Sequence, residues 1–201
     1  MSDEPIDAPE LAGAKRALRA EIRQRRRAAG ELHAAAAGDG ILEQGRGLIA
    51  RTGARSLACY LSSEFEPNTR PLLNWAVAEG LRVLLPVTRE DGLLDWTVAD
   101  GRSERRHELG FPEAVGEALG PIAVGDVDLI LVPAAAVDRA GMRLGWGRGY
   151  YDRTLGSMER RPPVYAVVHD AELLDEVPAE RHDQPVDGAV TPSRVVELPL
   201  A

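Results

Sequence analysis

Aromatic side chains make up only 4% of this 201-residue chain, and there is a single cysteine. Nowhere does an apolar run reach the roughly 18 residues that a membrane-spanning helix needs. One cysteine excludes an intrachain disulfide. Cys59 lies within the apolar stretch Leu57-Ala58-Cys59-Tyr60-Leu61 and reads as a small buried hydrophobe rather than a nucleophile. Residues 1–13 are acidic and lack the apolar core of a secretory signal, so a cytoplasmic location with no membrane partner is expected. With so few aromatics, Trp75, Trp96, Trp146 and the four tyrosines stand out.

Positive charge is also in deficit. A net charge of −8 argues against general nucleic-acid binding, and no nucleic-acid partner is expected. The charge is uneven, however. Residues 15–27 carry Lys15, Arg16, Arg19, Arg23, Arg25, Arg26 and Arg27 against Glu21, so this segment is +6 and the rest of the chain −14. A basic helix on an acidic protein is an RNA-binding face, a solvated face or a local anion site. Lys15, Arg19, Arg23 and Arg26 fall at spacings of four, four and three and share one helical face.

What the chain does have is an ordinary globular composition, 44% hydrophobic and 28% charged, of a length that fits one domain with a real core. A disordered acidic tail is expected over 1–13 and a single α/β domain over 14–201. Helix formers fill Ala14–Ala29, and a second helix is expected near Ile41–Arg51. Strands are expected at Ser56–Leu61, Arg82–Pro86, Leu93–Val98, Val127–Pro133, Val164–Val168 and Ala189–Thr191. A helix capped by Asn68 or Thr69 should run to Glu79, with Pro71 in its first turn and Gly80 as its stop. Glu113–Leu119 reads as a short helix or turn, and Tyr150–Met158 as a helix. Consecutive apolar residues such as Leu129-Ile130-Leu131-Val132 suit a parallel strand buried on both faces. Alternating strands and helices predict a three-layer α/β sandwich: a mainly parallel central sheet with helices on both faces.

Residues 141–153, Gly-Met-Arg-Leu-Gly-Trp-Gly-Arg-Gly-Tyr-Tyr-Asp-Arg, follow the strongest strand. Ligand sites of such sheets lie beyond the carboxyl ends of the strands. Glycines let a backbone approach a ligand closely, exposed N–H groups form an anion cradle, and arginines hold phosphate oxygens. A carboxylate such as Asp152 would repel phosphate unless a metal lay between them. From glycine spacing alone, a tight surface turn remains as good a reading.

Four separated segments converge on one resemblance. Lys15-Arg16-Ala17-Leu18-Arg19, then Glu66-Pro67-Asn68-Thr69 after Tyr60-Leu61, then Pro133, Asp138, Gly141 and Arg143 to Arg153, and last His182-Asp183-Gln184-Pro185-Val186-Asp187 with Thr191, resemble the motifs of the 5-formyltetrahydrofolate cyclo-ligase family. The similarity runs in order over roughly 14–195. It implies an ATP-dependent ring closure of 5-formyltetrahydrofolate to 5,10-methenyltetrahydrofolate, with magnesium as cofactor, ATP as co-substrate, a reduced folate as partner and a monomeric enzyme.

Carried over by position, the resemblance makes Lys15, Arg19, Arg143, Leu144, Gly145, Trp146, Gly147, Arg148, Gly149, Tyr150 and Tyr151 the ATP-binding set. Leu61, Glu66, Trp146, Gly147, Arg148, Gly149 and Tyr150 become the folate-binding set, with Glu66 on the pterin. Asp152 and Asp183 become magnesium ligands, and Arg148 and Tyr150 the catalytic pair. Trp146, set between glycines, is expected outside the core. Trp146 and Arg148 occupy variable positions of the family's loop, Val137 replaces a frequent aromatic and Ala114 a frequent proline. The segment 27–53 is atypically rich in glycine and alanine. Two other readings stay open: an RNA-binding protein using the basic helix, and an α/β enzyme of sugar or acyl metabolism.

Overall fold

The computed structural model describes residues 8–64 and 66–199. Seven strands form the main sheet in the order β12-β11-β9-β6-β1-β2-β3. They are β1 (Ser56–Ala58), β2 (Arg82–Thr88), β3 (Leu94–Val98), β6 (Leu129–Pro133), β9 (Val164–Val167), β11 (Gly188–Val190) and β12 (Val195–Glu197). β11, β9, β6, β1 and β2 run parallel, and β12 and β3 add to the two edges antiparallel.

The unbroken apolar strands are explained by their two faces. Leu57, Val83, Leu129 and Leu131 point to one side, where they meet Ile41, Leu48 and Ile49 of α1 (Ala8–Thr52) and Leu72, Leu73 and Ala76 of α2 (Arg70–Ala78). Ala58, Leu84, Ile130 and Val132 point to the other, against Leu155 of α3 (Tyr150–Gly156) and Ala123 and Val124 of a 3-10 turn at Pro121–Asp126. Neighbouring residues of a strand alternate faces, so both faces need apolar cover. The expected sandwich, with helices on both faces, is what forms.

Two small sheets were not foreseen. One has the order β10-β7-β8, from Leu173–Leu174, Ala136–Asp138 and Arg143–Leu144; the other pairs β4 (Glu104–Arg106) with β5 (Pro112–Ala114). Strands of two or three residues lie below the length at which a period-two pattern shows. β5 replaces the short helix or turn expected from Glu113. The Glu113 carboxylate is buried and accepts hydrogen bonds from Thr88 N, Thr88 Oγ1 and Arg105, which ties the hairpin to β2.

The helix expected over 14–29 begins earlier, at Ala8, so residues 8–13 of the expected disordered tail are helical; residues 1–7 lie outside the described residues. Ala8, Leu11, Ala12 and Ala14 favour helix, which acidity alone had obscured. α1 is interrupted at Gly30, whose φ of 80° lies outside the helical region. Its first half, 8–29, packs Ile22 on Ala135, Ala136 and Leu144 of the small sheet and its approach. Its second half, 31–52, covers the main sheet and starts well before the expected Ile41. The glycines there serve contact: a Cβ on Gly45 would stand 2.6 Å from Leu72 Cδ2, and one on Gly40 would collide with the Pro192 backbone. Asn68 rather than Thr69 supplies the side-chain acceptor at the start of α2, taking a hydrogen bond from Arg70 N at 3.1 Å.

Candidate active site

Three connections meet beyond the carboxyl ends of β1 and β6. The first follows β1. Thr69, fully buried, donates to Tyr60 O at 2.7 Å, while Thr69 and Ser62 exchange bonds between backbone and hydroxyl. These bonds tie Tyr60 and Ser62 to Thr69, and Ser63 N and Oγ both donate to Glu66 Oε2 at 2.8 Å. Among the described residues, Glu66 Oε1 has no protein donor.

The second connection follows β6 through β7 and β8. Asp138 fixes its turn by accepting from Ala140 N, Met142 N and Val177 N. Gly141 is required there, because a Cβ would stand 2.6 Å from Val186 O. Arg143 is buried, donating to Pro133 O and, at 2.5 Å, to Asp152 Oδ1. The glycine loop 145–149 follows, with positive φ at Gly147 (93°) and Gly149 (69°), and α3 opens at Tyr150. The third connection is the stretch 180–185, where Glu180 and Asp183 both accept from Lys15 Nζ at 2.6 Å.

The glycine loop separates two cavities. A cavity of about 470 Å³ is lined by Tyr60, Leu61, Glu66, Arg143, Trp146, Arg148, Tyr150, Tyr151 and Asp152, with Arg106, Leu109 and Phe111 of the β4–β5 hairpin opposite. A cavity of about 230 Å³ is lined by Lys15, Arg16, Arg19, Arg143, Leu144, Gly147, Glu180, His182 and Asp183. Gly145, Gly149, Arg143 and Asp152 face both. Every residue expected in the site therefore lines one cavity or the other. The hairpin wall and Tyr60 were missed, since nothing in their spacing set them apart; the sequence marks Arg23 only as part of the basic face of α1.

The charges differ from expectation in several ways. Asp152 needs no metal to explain it, because the Arg143 guanidinium neutralises it. Lys15 is engaged by two carboxylates rather than left open. Trp146, expected outside the core, is half-buried against Ile22 and its neighbours while still lining the larger cavity. Glycine neighbours leave an indole free to turn inward as well as outward. Burial, then the like charge of Arg23, lowers the Arg19 pKa below its ordinary value, and Arg19 Nε donates to Gly145 O at 2.7 Å. Burial raises the Tyr60 and Tyr151 phenols well above their ordinary range, so both are neutral floor groups. Arg148 is exposed, and Tyr150 lies half-buried with the Arg153 guanidinium 5.7 Å from its ring centroid.

Asp152, Glu180 and Asp183 suit a hard divalent cation: they are oxygen donors beside the smaller cavity, and Asp152 Oδ2 has no partner among the described residues. The group Glu180, His182 and Asp183 offers ligand atoms within 4.8 Å of one another.

A mainly parallel sheet covered by helices on both faces, with two cavities on either side of a glycine loop beyond the carboxyl ends of its strands, is the layout of an α/β enzyme. A sequence model of the 5-formyltetrahydrofolate cyclo-ligase family matches residues 12–192, and the chain belongs to that family. It is 39% identical over 187 residues to the 5-formyltetrahydrofolate cyclo-ligase of Mycolicibacterium smegmatis, covering 90% of this chain and 94% of that one. The Escherichia coli cyclo-ligase is 34% identical over 150 residues, 72% of this chain and 81% of its own. The solution structure of Aquifex aeolicus 5,10-methenyltetrahydrofolate synthetase superposes with a TM-score of 0.77 at 26% identity, covering 93% of this chain and 94% of that one. The chain is thus an enzyme of the ligase class. Among the described residues, no helix is long and apolar enough to cross a membrane.

Proposed function

We propose that this enzyme closes the ring of 5-formyltetrahydrofolate to 5,10-methenyltetrahydrofolate at the expense of ATP. The observation that carries the reading is the glycine loop as common wall of two cavities, one lined by paired cations and carboxylates with Arg16 and Arg19 beside them, the other bounded by Glu66 and aromatic rings.

The smaller cavity takes the triphosphate. Arg19 and the backbone of Gly145, Gly147 and Gly149 supply donors and positive charge, and Lys15 does so on leaving its carboxylates. Magnesium held by Asp152 and Asp183 would neutralise phosphate charge. The larger cavity takes the folate. Glu66 Oε1 accepts from the N–H groups of the pterin edge, while Leu61, Trp146 and Tyr150 cover its faces. This sets the formyl oxygen toward the γ-phosphorus across the loop.

In the first step the formyl oxygen bonds to the γ-phosphorus, the bond to the β-phosphate oxygen breaks, and ADP leaves. The formyl nitrogen supplies the electron pair that makes an iminium phosphate. N10 then attacks the formyl carbon, its proton passes to phosphate or solvent, and inorganic phosphate leaves with the former formyl oxygen. Such a transfer needs positioning and charge stabilisation rather than a protein nucleophile. Arg148 and Tyr150, which line the larger cavity beside the glycine loop, are the groups we assign to the reacting oxygen.

The test is turnover: purified protein with magnesium, ATP and 5-formyltetrahydrofolate should produce the methenyl chromophore. Product no greater than in a control without ATP overturns the assignment.

A further inference from the structure

Lys15 and Arg19 lie at the smaller cavity, but the next two members of the basic face of α1 have another neighbour. The guanidinium carbons of Arg23 and Arg26 lie 5.2 Å and 5.0 Å from the ring centroid of Trp146. Both are within cation–π range of one indole.

The two arginines are held differently. Arg26 is buried and rigid, with Nε and Nη2 each 2.7 Å from a Glu172 oxygen and Nη2 3.0 Å from Ala134 O. Glu172 is itself anchored, accepting from His169 N at 2.7 Å. Arg23 is exposed, lines the larger cavity and has no carboxylate within ion-pair distance among the described residues.

Trp146 needs such support. Its neighbours Gly145 and Gly147 carry no side chains to brace it. Its Nε1 is buried without a hydrogen-bond partner among the described residues. A buried indole N–H without an acceptor is unfavourable, and turning outward would let it reach water. Contacts with the ring faces must therefore offset that loss: packing on Ile22 and the two guanidinium groups.

We propose that Arg23 and Arg26 are positioning residues that hold the Trp146 indole as a fixed wall of the larger cavity, and so set the affinity of that cavity for its folate. The affinity part rests on the folate reading above.

The test uses Arg23, because removing Arg26 would strand the buried Glu172 charge. Subtracting the emission of Trp146→Phe from that of the parent isolates Trp146 from Trp75 and Trp96. In the Arg23→Met background this difference spectrum should shift and Trp146 should become more accessible to acrylamide, whereas Arg23→Lys should keep the parent values. The KM for 5-formyltetrahydrofolate should rise about three-fold in Arg23→Met. That for ATP should move less, and Arg23→Lys should restore the folate value. In a Trp146→Ala background Arg23→Met should add nothing. An unchanged Trp146 spectrum overturns the proposal. So does an equal rise in folate KM with and without the indole, which would make Arg23 a direct ligand contact. If the parent protein turns over no folate, the proposed function fails, and the spectral arm alone decides the brace.

Discussion

Lys15 Nζ lies 2.6 Å from Asp183 Oδ2, so a cation suited to phosphate and a carboxylate suited to magnesium neutralise each other across the smaller cavity. Glu180 shares the same ammonium. On the proposed reading, triphosphate and magnesium entering together would let Lys15 exchange a carboxylate for phosphate and Asp183 exchange an ammonium for the metal ion. Lys15→Met is therefore expected to raise the KM for ATP about ten-fold or more, the scale of a lost charge-assisted hydrogen bond. Steady-state titration of ATP measures this, and an unchanged KM would confine Lys15 to a structural ion pair.

Glu66 has one oxygen committed to Ser63 and the other open. Glu66→Gln keeps the size but turns an acceptor pair into one acceptor and one donor. The KM for the folate should rise about ten-fold or more, while that for ATP shifts less than about two-fold. Equal effects on both substrates would place Glu66 in loop folding instead.

Asp152 faces both cavities and holds buried Arg143. Asp152→Asn leaves that guanidinium without its counter-charge, and because Asp152 is partly exposed the loss should be about 1–3 kcal/mol. Urea unfolding in EDTA, without nucleotide, reads this term apart from any metal. The same variant should lose activity that excess magnesium partly restores. An unchanged unfolding midpoint would leave Asp152 with a ligand role alone.

Burial pushes the Cys59 thiol up to about 12, against an ordinary value of 9.0. A raised acid pKa favours the folded state while the group is protonated in both states, so this contribution is complete below pH 9 and is lost as pH rises toward 12. Tyr60 and Tyr151 act in the same direction above pH 10. The urea midpoint should fall from about pH 9 upward, with a shallower fall in Cys59→Ala. At neutral pH the native thiol should resist an aromatic disulfide reagent and react only after unfolding. Rapid reaction of the native protein would show that Cys59 is accessible.

The sheet was legible because its central strands are covered on both faces, and Leu129-Ile130-Leu131-Val132 advertises that in one run. The glycine loop was legible as a candidate because Arg143 to Asp152 is compact in sequence. The β4–β5 hairpin was not: its strands are too short for periodicity, and the buried Glu113 that anchors it looks like any other acidic residue until Thr88 and Arg105 arrive from elsewhere. The partners of Lys15, 165 and 168 residues away, were equally hidden, because pairing over that distance leaves no local pattern.

The interruption of α1 at Gly30 divides the helix between two tasks. Residues 31–52 are built into the main core, whereas 8–29 grip the glycine loop, the small sheet and the stretch 180–183. Loss of the first half would open both cavities at once without uncovering the central strands. Amide exchange in 8–29 should therefore slow when ligands bind, well before it does in 31–52, making this half-helix a built-in gauge of occupancy.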